Sequence, residues 1–178
     1  MNRINIFRIV GDHLKTLTDR GRKRPGYATF ALFFLFPLLV GILLPVLGFV
    51  LSASFRDTLL TCFSILTGLL LNLLLLVYDL IKKGMDSIPK DSKQSDPDEI
   101  AQAKLKNALL KETFGNISFS VFLSLSLALI SLALTHHYAS LNWVLSVVIY
   151  SLSGHFTLTI LMILKRVHRL LGDEFADR

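Results

Sequence analysis

The chain has 178 residues, of which 52% are hydrophobic and 18% are charged, and its mean hydropathy is +0.57. A soluble domain of this size does not carry so apolar a composition, so the sequence predicts one all-α integral membrane unit. Lys and Arg number 19 against 13 acids, and the single cysteine, Cys62, excludes an intramolecular disulfide and a cysteine-rich metal site.

Residues 1–26 are predicted to form a cytoplasmic arm that begins with an amphipathic helix, too short and too charged to cross a bilayer. Its apolar face is predicted to carry Ile6, Val10, Leu14 and Leu17. Such a helix lies in the headgroup plane or docks on another helix, and the basic cluster that follows favours the headgroup plane. The cluster that is the candidate surface for lipid or a partner consists of Arg20, Arg22, Lys23 and Arg24. The alternative is ordinary flanking charge without lipid specificity.

The first predicted span covers residues 27–51 and places Pro37, Gly41, Pro45 and Gly48 on one arc of the helix. This face is expected to be buried in protein, and helix packing is one explanation of it. The alternative is a flexible, pore-lining helix in which the carbonyls freed by the prolines, those of Phe33 and Gly41, face water.

The second predicted span covers residues 58–78, and the short turn at 52–57 predicts that residues 27–81 form an antiparallel hairpin. The few polar or small residues of this span share one narrow arc, and Asp79 continues their line. They are Thr61, Ser64, Gly68 and Asn72. Because an amide in hydrocarbon needs a partner, this stripe is predicted to pack against protein.

Residues 82–112 are predicted to be a cytoplasmic linker and a helix. Asp96, Pro97 and Glu99 have the pattern of an N-cap, a first-turn proline and a capping carboxylate, so a helix is expected to start there and to continue into the third span.

Residues 113–164 contain no Asp, Glu, Lys or Arg and are predicted to form a second hairpin, divided at 135–141. The third span, 114–134, carries Asn116, Ser120, Ser124 and Ser131 on one side. The fourth, 142–164, is polar on two sides, with Ser151, His155 and Thr159 on one and Ser146, Ser153 and Thr157 on the other. A helix with two polar faces packs against two neighbours. Four spans alone could satisfy one such face each, so the additional polar face of the fourth span predicts a homo-oligomer. The candidate interface or pore residues are Gly41, Gly48, Gly68, Asn72, Asp79, Ser120, Ser124, Ser151 and His155.

Eighteen of the 19 Lys and Arg residues lie in 1–26, 82–112 and the tail 165–178, and Arg56 alone lies in the first turn. Both ends and the middle segment are therefore predicted to be cytoplasmic, which in a bacterium means a multi-pass protein of the inner membrane.

The sequence offers no clear enzymatic chemistry, and we expect neither catalysis nor a cofactor, a metal or direct nucleic-acid binding. Ser151 and His155 could form a dyad, but no acid is visible to orient the histidine. His136 and His137 could bind a metal across several copies, yet no further ligands follow them. His155 is also the one deep titratable residue that a proton-coupled transporter could use.

The span layout, with the Leu-rich run that ends Leu76, Val77, Tyr78, Asp79, resembles the small four-span membrane subunits of bacterial anti-phage defence systems. The membrane component of the Kiwa system is the nearest, and the membrane effectors of retron systems are second. The resemblance implies an inner-membrane oligomer that binds a cytoplasmic protein partner and responds to phage at the envelope, and it carries no catalytic motif.

The leading hypothesis is thus a membrane scaffold or sensor that holds a soluble partner in antiviral defence. A pore-forming effector built from the polar stripes and a small transporter are the alternatives.

Overall fold

The computed structural model of the chain describes residues 6–17, 26–86, 97–133 and 142–176, and these are 94% helical without a strand. The helices are α1 (Ile6–Thr16), α2 (Tyr27–Phe30), a π-helical turn (Ala31–Leu35), α3 (Phe36–Val46), α4 (Ala53–Asp86), α5 (Pro97–Ala133) and α6 (Asn142–Ala176). Within the described residues, four helical stretches are long and apolar enough to cross a membrane. The predicted fold, four spans and a short N-terminal helix, is confirmed.

The predicted start of the third long helix is also confirmed, because α5 begins at Pro97 and continues unbroken to Ala133. The last helix extends beyond the predicted span, since α6 reaches Ala176. Several predictions lie outside the described residues: the capping role of Asp96, the histidines at 136 and 137, and the basic cluster at 20–24.

The first span ends earlier than predicted, at Val46 instead of residue 51. The amide of Gly48 donates to Pro45 O at 3.1 Å and the amide of Phe49 donates to Leu44 O at 3.0 Å. These two bonds form a Schellman motif, in which Gly48 takes the left-handed conformation with φ +90°. Gly48 therefore caps the helix, and the prediction that it shares a packing face with Pro37, Gly41 and Pro45 is wrong.

The spans lie in the order α3, α6, α5, α4, each packed against the next. Among the described residues α3 and α4 do not pack together, so the prediction of a first hairpin is wrong. The turn between them is held by α6 instead: the amide of Leu51 donates to Ser146 Oγ at 3.0 Å, and Asn142 Nδ2 donates to Leu51 O at 3.2 Å. These bonds satisfy a buried backbone segment, so the chain crosses the end of α6 before α4 packs on α5.

The central helix of the core is α5, whose apolar window is 50% buried against 17–22% for the other spans. Its contact with α4 follows alternating steps of three and four residues, as in a left-handed coiled coil. The α5 side comprises Asn107, Leu110, Phe114, Ile117, Val121, Ser124, Ala128 and Ser131. The α4 side comprises Phe63, Thr67, Leu70, Leu74, Val77, Ile81 and Gly84. Hydrogen bonds fix the register, with Thr67 Oγ1 2.9 Å from Ser124 Oγ and Asn107 Nδ2 donating to Gly84 O at 3.2 Å.

Within one chain, the predicted packing of the α4 polar stripe is wrong. Thr61, Ser64, Gly68, Asn72 and Asp79 all lie on the exposed side of α4, and an added Cβ at Gly68 would meet nothing within 4 Å. The apolar seam faces α5 because its side chains interdigitate more closely than a face of small residues would. A strip of polar atoms is thereby left on the surface that faces lipid.

The polar side of α6 that carries Ser151, His155 and Thr159 finds its neighbours in the chain itself, whereas Thr157 on the other polar side is exposed. Ser146 and Thr159 are buried, and Ser151 lies over Gly41 of α3. Of the six polar residues predicted on the two sides of α6, only Thr157 is exposed, so the surplus polarity of α6 gives little reason for contacts between copies. The exposed stripe of α4 supplies that reason in its place.

Candidate functional site

The N-terminal helix docks on the spans, because α1 packs against α5. Its buried side is centred on His13, which is 1% exposed, while Phe7 is 90% exposed and Ile6 and Leu14 are also exposed. The predicted apolar face is therefore wrong in part, and α1 does not lie free in the headgroup plane. The docking follows from the polar partners that His13 finds on α5.

His13 is held by a hydrogen bond and a ring stack. Its Nδ1 lies 3.0 Å from Asn116 Oδ1, and Thr16 Oγ1 lies 2.6 Å from the same oxygen. Because an amide oxygen only accepts, the proton of neutral His13 is on Nδ1. The ring stacks on Phe119 with centroids 4.0 Å apart and an interplanar angle of 3°. A helix outside the membrane spans is thus locked to a buried polar residue of the third span.

His155 of α6 lies beside this pair, with its ring centroid 5.6 Å from that of His13. Its Nδ1 donates to Phe33 O at 2.8 Å. This carbonyl is the one freed by Pro37, which has no N–H to offer, and it sits in the π-helical turn that precedes the proline. The alternative to helix packing, in which Phe33 O faces water in a pore, does not hold, because a histidine side chain satisfies this carbonyl.

The proline face of the first span is buried, which confirms helix packing there. Pro37, Gly41 and Pro45 are all buried. A Cβ added at Gly41 would overlap Ser151 Oγ and come within 2.8 Å of both Ser151 N and Val147 O. The absence of a side chain at Gly41 is what lets α3 approach the backbone of α6.

Arg166 ties three elements together at the end of the α6 span. Its Nη2 donates to Thr16 O at 3.0 Å, and its Nη1 lies 3.5 Å from Glu112 Oε2. Thr16 is the last residue of α1, so the guanidinium also sits at the negative end of that helix. His13, Arg166 and Glu112 are not among the residues that the sequence predicted for a functional site. A weak signal for His13 exists, since Ile9, His13 and Thr16 repeat at helical spacing beside the apolar face.

The electrostatics of this cluster favour neutral His13. Burial lowers the pKa of His13 from 6.5 to about 4, with smaller contributions from the nearby His155 and Arg166, while the bond to Asn116 opposes the shift. Uptake of a proton would charge a ring that is buried between α5 and α6. The arrangement can therefore couple the docking of α1 to the packing of the spans.

The remaining predicted site residues are dispersed. Ser120 and Ser124 are buried in α5, and Ser124 pairs with Thr67. The observed Nδ1 bond of His155 goes to a backbone carbonyl and not to Ser151, whose Oγ is buried against α3. In the part of the chain that the structure describes, no group of three His, Cys, Asp or Glu residues is placed to hold a metal ion.

Comparisons with protein-family models, with curated proteins and with solved structures find no match to this chain. A functional proposal therefore rests on two features described above. They are the exposed polar stripe of α4 and the polar cluster that joins α1 to α5 and α6.

Proposed function

We propose that the chain is a membrane scaffold that assembles with copies of itself through the polar stripe of α4 and presents a cytoplasmic surface to a protein partner. The observation that carries the proposal is Asn72. Its side chain is exposed inside the second apolar span, and it makes no hydrogen bond within the described residues. An amide turned to hydrocarbon without a partner is unfavourable, and a second copy in the bilayer removes that cost.

The stripe is suited to pairing with itself. Copies inserted with the same orientation are related by an axis along the membrane normal, which places each Asn72 at the depth of its symmetry mate. An amide both donates and accepts, so two Asn72 side chains can satisfy each other. Gly68, one turn away, has open space around it and allows the helices to approach closely.

The partner surface in this proposal is the cytoplasmic side of the scaffold. There α1 exposes Phe7 and Leu14, and the α5 segment before residue 113 adds roughly 24 Å of helix at ~1.5 Å per residue. We place both chain ends and this surface in the cytoplasm of a bacterium, from the distribution of Lys and Arg. The proposed setting, antiviral defence at the inner membrane, comes from the resemblance to defence-system membrane subunits.

Disulfide trapping in liposomes tests the assembly. In a Cys62→Ser background, the Ser64→Cys variant should form covalent dimers on oxidation. Leu69→Cys, which is also exposed but lies about 140° around the helix from Ser64 at roughly 100° per residue, is the matched control and should not. Adding Asn72→Leu should weaken the association by about 0.6 kcal/mol, or roughly threefold. Equal trapping at both cysteines would refute the proposed interface.

A second candidate function, a pore, is favoured by the same stripe, because polar faces of several copies turned toward a common axis can line a water path. The two functions separate in an ion-flux assay on liposomes combined with a pull-down of cytoplasmic proteins. A pore variant lacking residues 85–96 still conducts, whereas a scaffold without this segment loses its partner and never conducts.

A further inference from the structure

An open cavity of about 690 Å³ lies between the end of α1, the first span, α5 and α6. Its apolar wall includes Leu32 and Phe33 of the first span and Leu158, Leu161 and Met162 of α6. Leu32 and Leu161 are 50% and 54% exposed, so the wall is open on the side where the bilayer lies. A long apolar chain can enter there from the lipid phase.

Cations line one end of the cavity: Lys165, Arg166 and Arg169, all on α6 just after its uncharged stretch. Glu112 is the one acid in the lining, and it lies 3.5 Å from Arg166, whose guanidinium is also held by Thr16 O. Lys165 and Arg169 are exposed and make no ion pair within the described residues. The cavity mouth therefore keeps a net positive charge.

The apolar and cationic parts form one continuous face of α6. Leu158, Leu161, Lys165 and Arg169 are three or four residues apart, so they follow each other along the helix over roughly 16 Å. An occupant that matches this face is an anion at one end and a hydrocarbon chain at the other.

We propose that this cavity binds an anionic phospholipid, with its phosphate between Lys165 and Arg169 and one acyl chain along Leu158 and Leu161. Basic pockets between spans at the cytoplasmic leaflet are where such headgroups bind. The proposal is independent of assembly through α4, because none of the cavity residues belongs to that helix.

The chain offers a matched control in Lys82 and Lys83. They are exposed cations at the end of the α4 span, and they do not line the cavity. If the basic residues of α6 only set topology, neutralising either pair has the same effect on bound lipid. If the cavity is a lipid site, only the α6 pair matters.

Native mass spectrometry of the detergent-solubilised full chain, titrated with phosphatidylglycerol or phosphatidylcholine, tests the proposal. We expect one saturable phosphatidylglycerol adduct, no comparable phosphatidylcholine adduct, and roughly 30-fold weaker binding in Lys165→Gln/Arg169→Gln. Lys82→Gln/Lys83→Gln should bind as the unmodified chain does. Equal weakening in both double variants, or equal binding of the two lipids, overturns the site.

A second measurement distinguishes a lipid from a free anion and guards against misfolding. Phosphatidylglycerol should raise the melting temperature of the unmodified chain, while inorganic phosphate at the same concentration should not. Helical content by circular dichroism should be the same in both double variants. A full stabilisation by inorganic phosphate alone would assign the cations to a simple anion site and overturn the lipid proposal.

Discussion

Lowering the pH from 7 to 5 should weaken the docking of α1 on the spans. His13 is neutral when α1 is docked, because burial lowers its pKa from 6.5 to about 4. Undocked His13 binds a proton more tightly, so docking is most stable above pH 6.5 and weakens as the pH falls toward 4. The groups that face His13 are His155 and Arg166 on α6 and Asn116 and Phe119 on α5.

The two pKa values, 6.5 and about 4, set the size of the effect. Their difference corresponds to roughly 3 kcal/mol in full, of which about 2 kcal/mol falls between pH 7 and pH 5. The ratio of undocked to docked α1 should therefore rise roughly 20-fold over this interval.

Thiol labelling in liposomes measures this ratio. In a Cys62→Ser background, Ile9→Cys places a thiol on the half-buried side of α1, and Phe7→Cys places one on the exposed side. The ratio of the labelling rate of Ile9→Cys to that of Phe7→Cys is used, because the intrinsic pH dependence of thiol reactivity cancels in this ratio. This relative rate should increase between pH 7 and pH 5.

His13→Gln is the control, because glutamine does not titrate and can still donate to Asn116. In that variant the relative labelling rate should be independent of pH. The reasoning is refuted if the unmodified His13 shows no pH dependence, or if the dependence persists in His13→Gln.

Two further predictions concern the packing of the first span on α6. Gly41→Ala should lower the free energy of unfolding by about 1–3 kcal/mol, because the new Cβ would sit 2.8 Å from two backbone atoms of α6. Gly115→Ala is the control and should be neutral or stabilising, because its Cβ would have only one neighbour, at 4.0 Å. Thermal melting in detergent compares the two variants, and equal melting temperatures would contradict close packing at Gly41. His155→Leu should lower the free energy of unfolding by about 1–3 kcal/mol, because it leaves Phe33 O buried without a hydrogen-bond donor. His155→Gln should recover part of this stability. Equal destabilisation by both substitutions would show that the hydrogen bond between His155 and Phe33 O is unimportant.

The number of helices and their apolar character could be predicted from the sequence, because uncharged stretches of about 20 residues satisfy their backbone only as membrane-spanning helices. The helix start at Pro97 followed from local capping chemistry. The sequence also predicted that Phe33 O lacks a helical hydrogen bond, because Pro37 has no N–H to donate to it in any surroundings.

The sequence did not predict which helices pack against each other. Leucines cover most of α4, so the seam through Phe63, Leu70 and Val77 does not stand out from the rest of the helix, and the polar stripe was the clearer pattern. The periodicity of the sequence shows which residues share a face of a helix, but it does not show which face packs most closely against a neighbouring helix.

The sequence by itself determined that this protein is a set of helices built for a bilayer, because hydrocarbon forces every backbone group to be satisfied within its own segment. Only the tertiary structure decided that α3 lies against α6 and not α4, that His155 satisfies the carbonyl freed by Pro37, and that His13 fixes α1 to α5. Those outcomes depend on contacts between residues more than 100 positions apart in the chain, such as His13 and Asn116, and such pairings arise from shape and hydrogen-bond complementarity that no local pattern encodes.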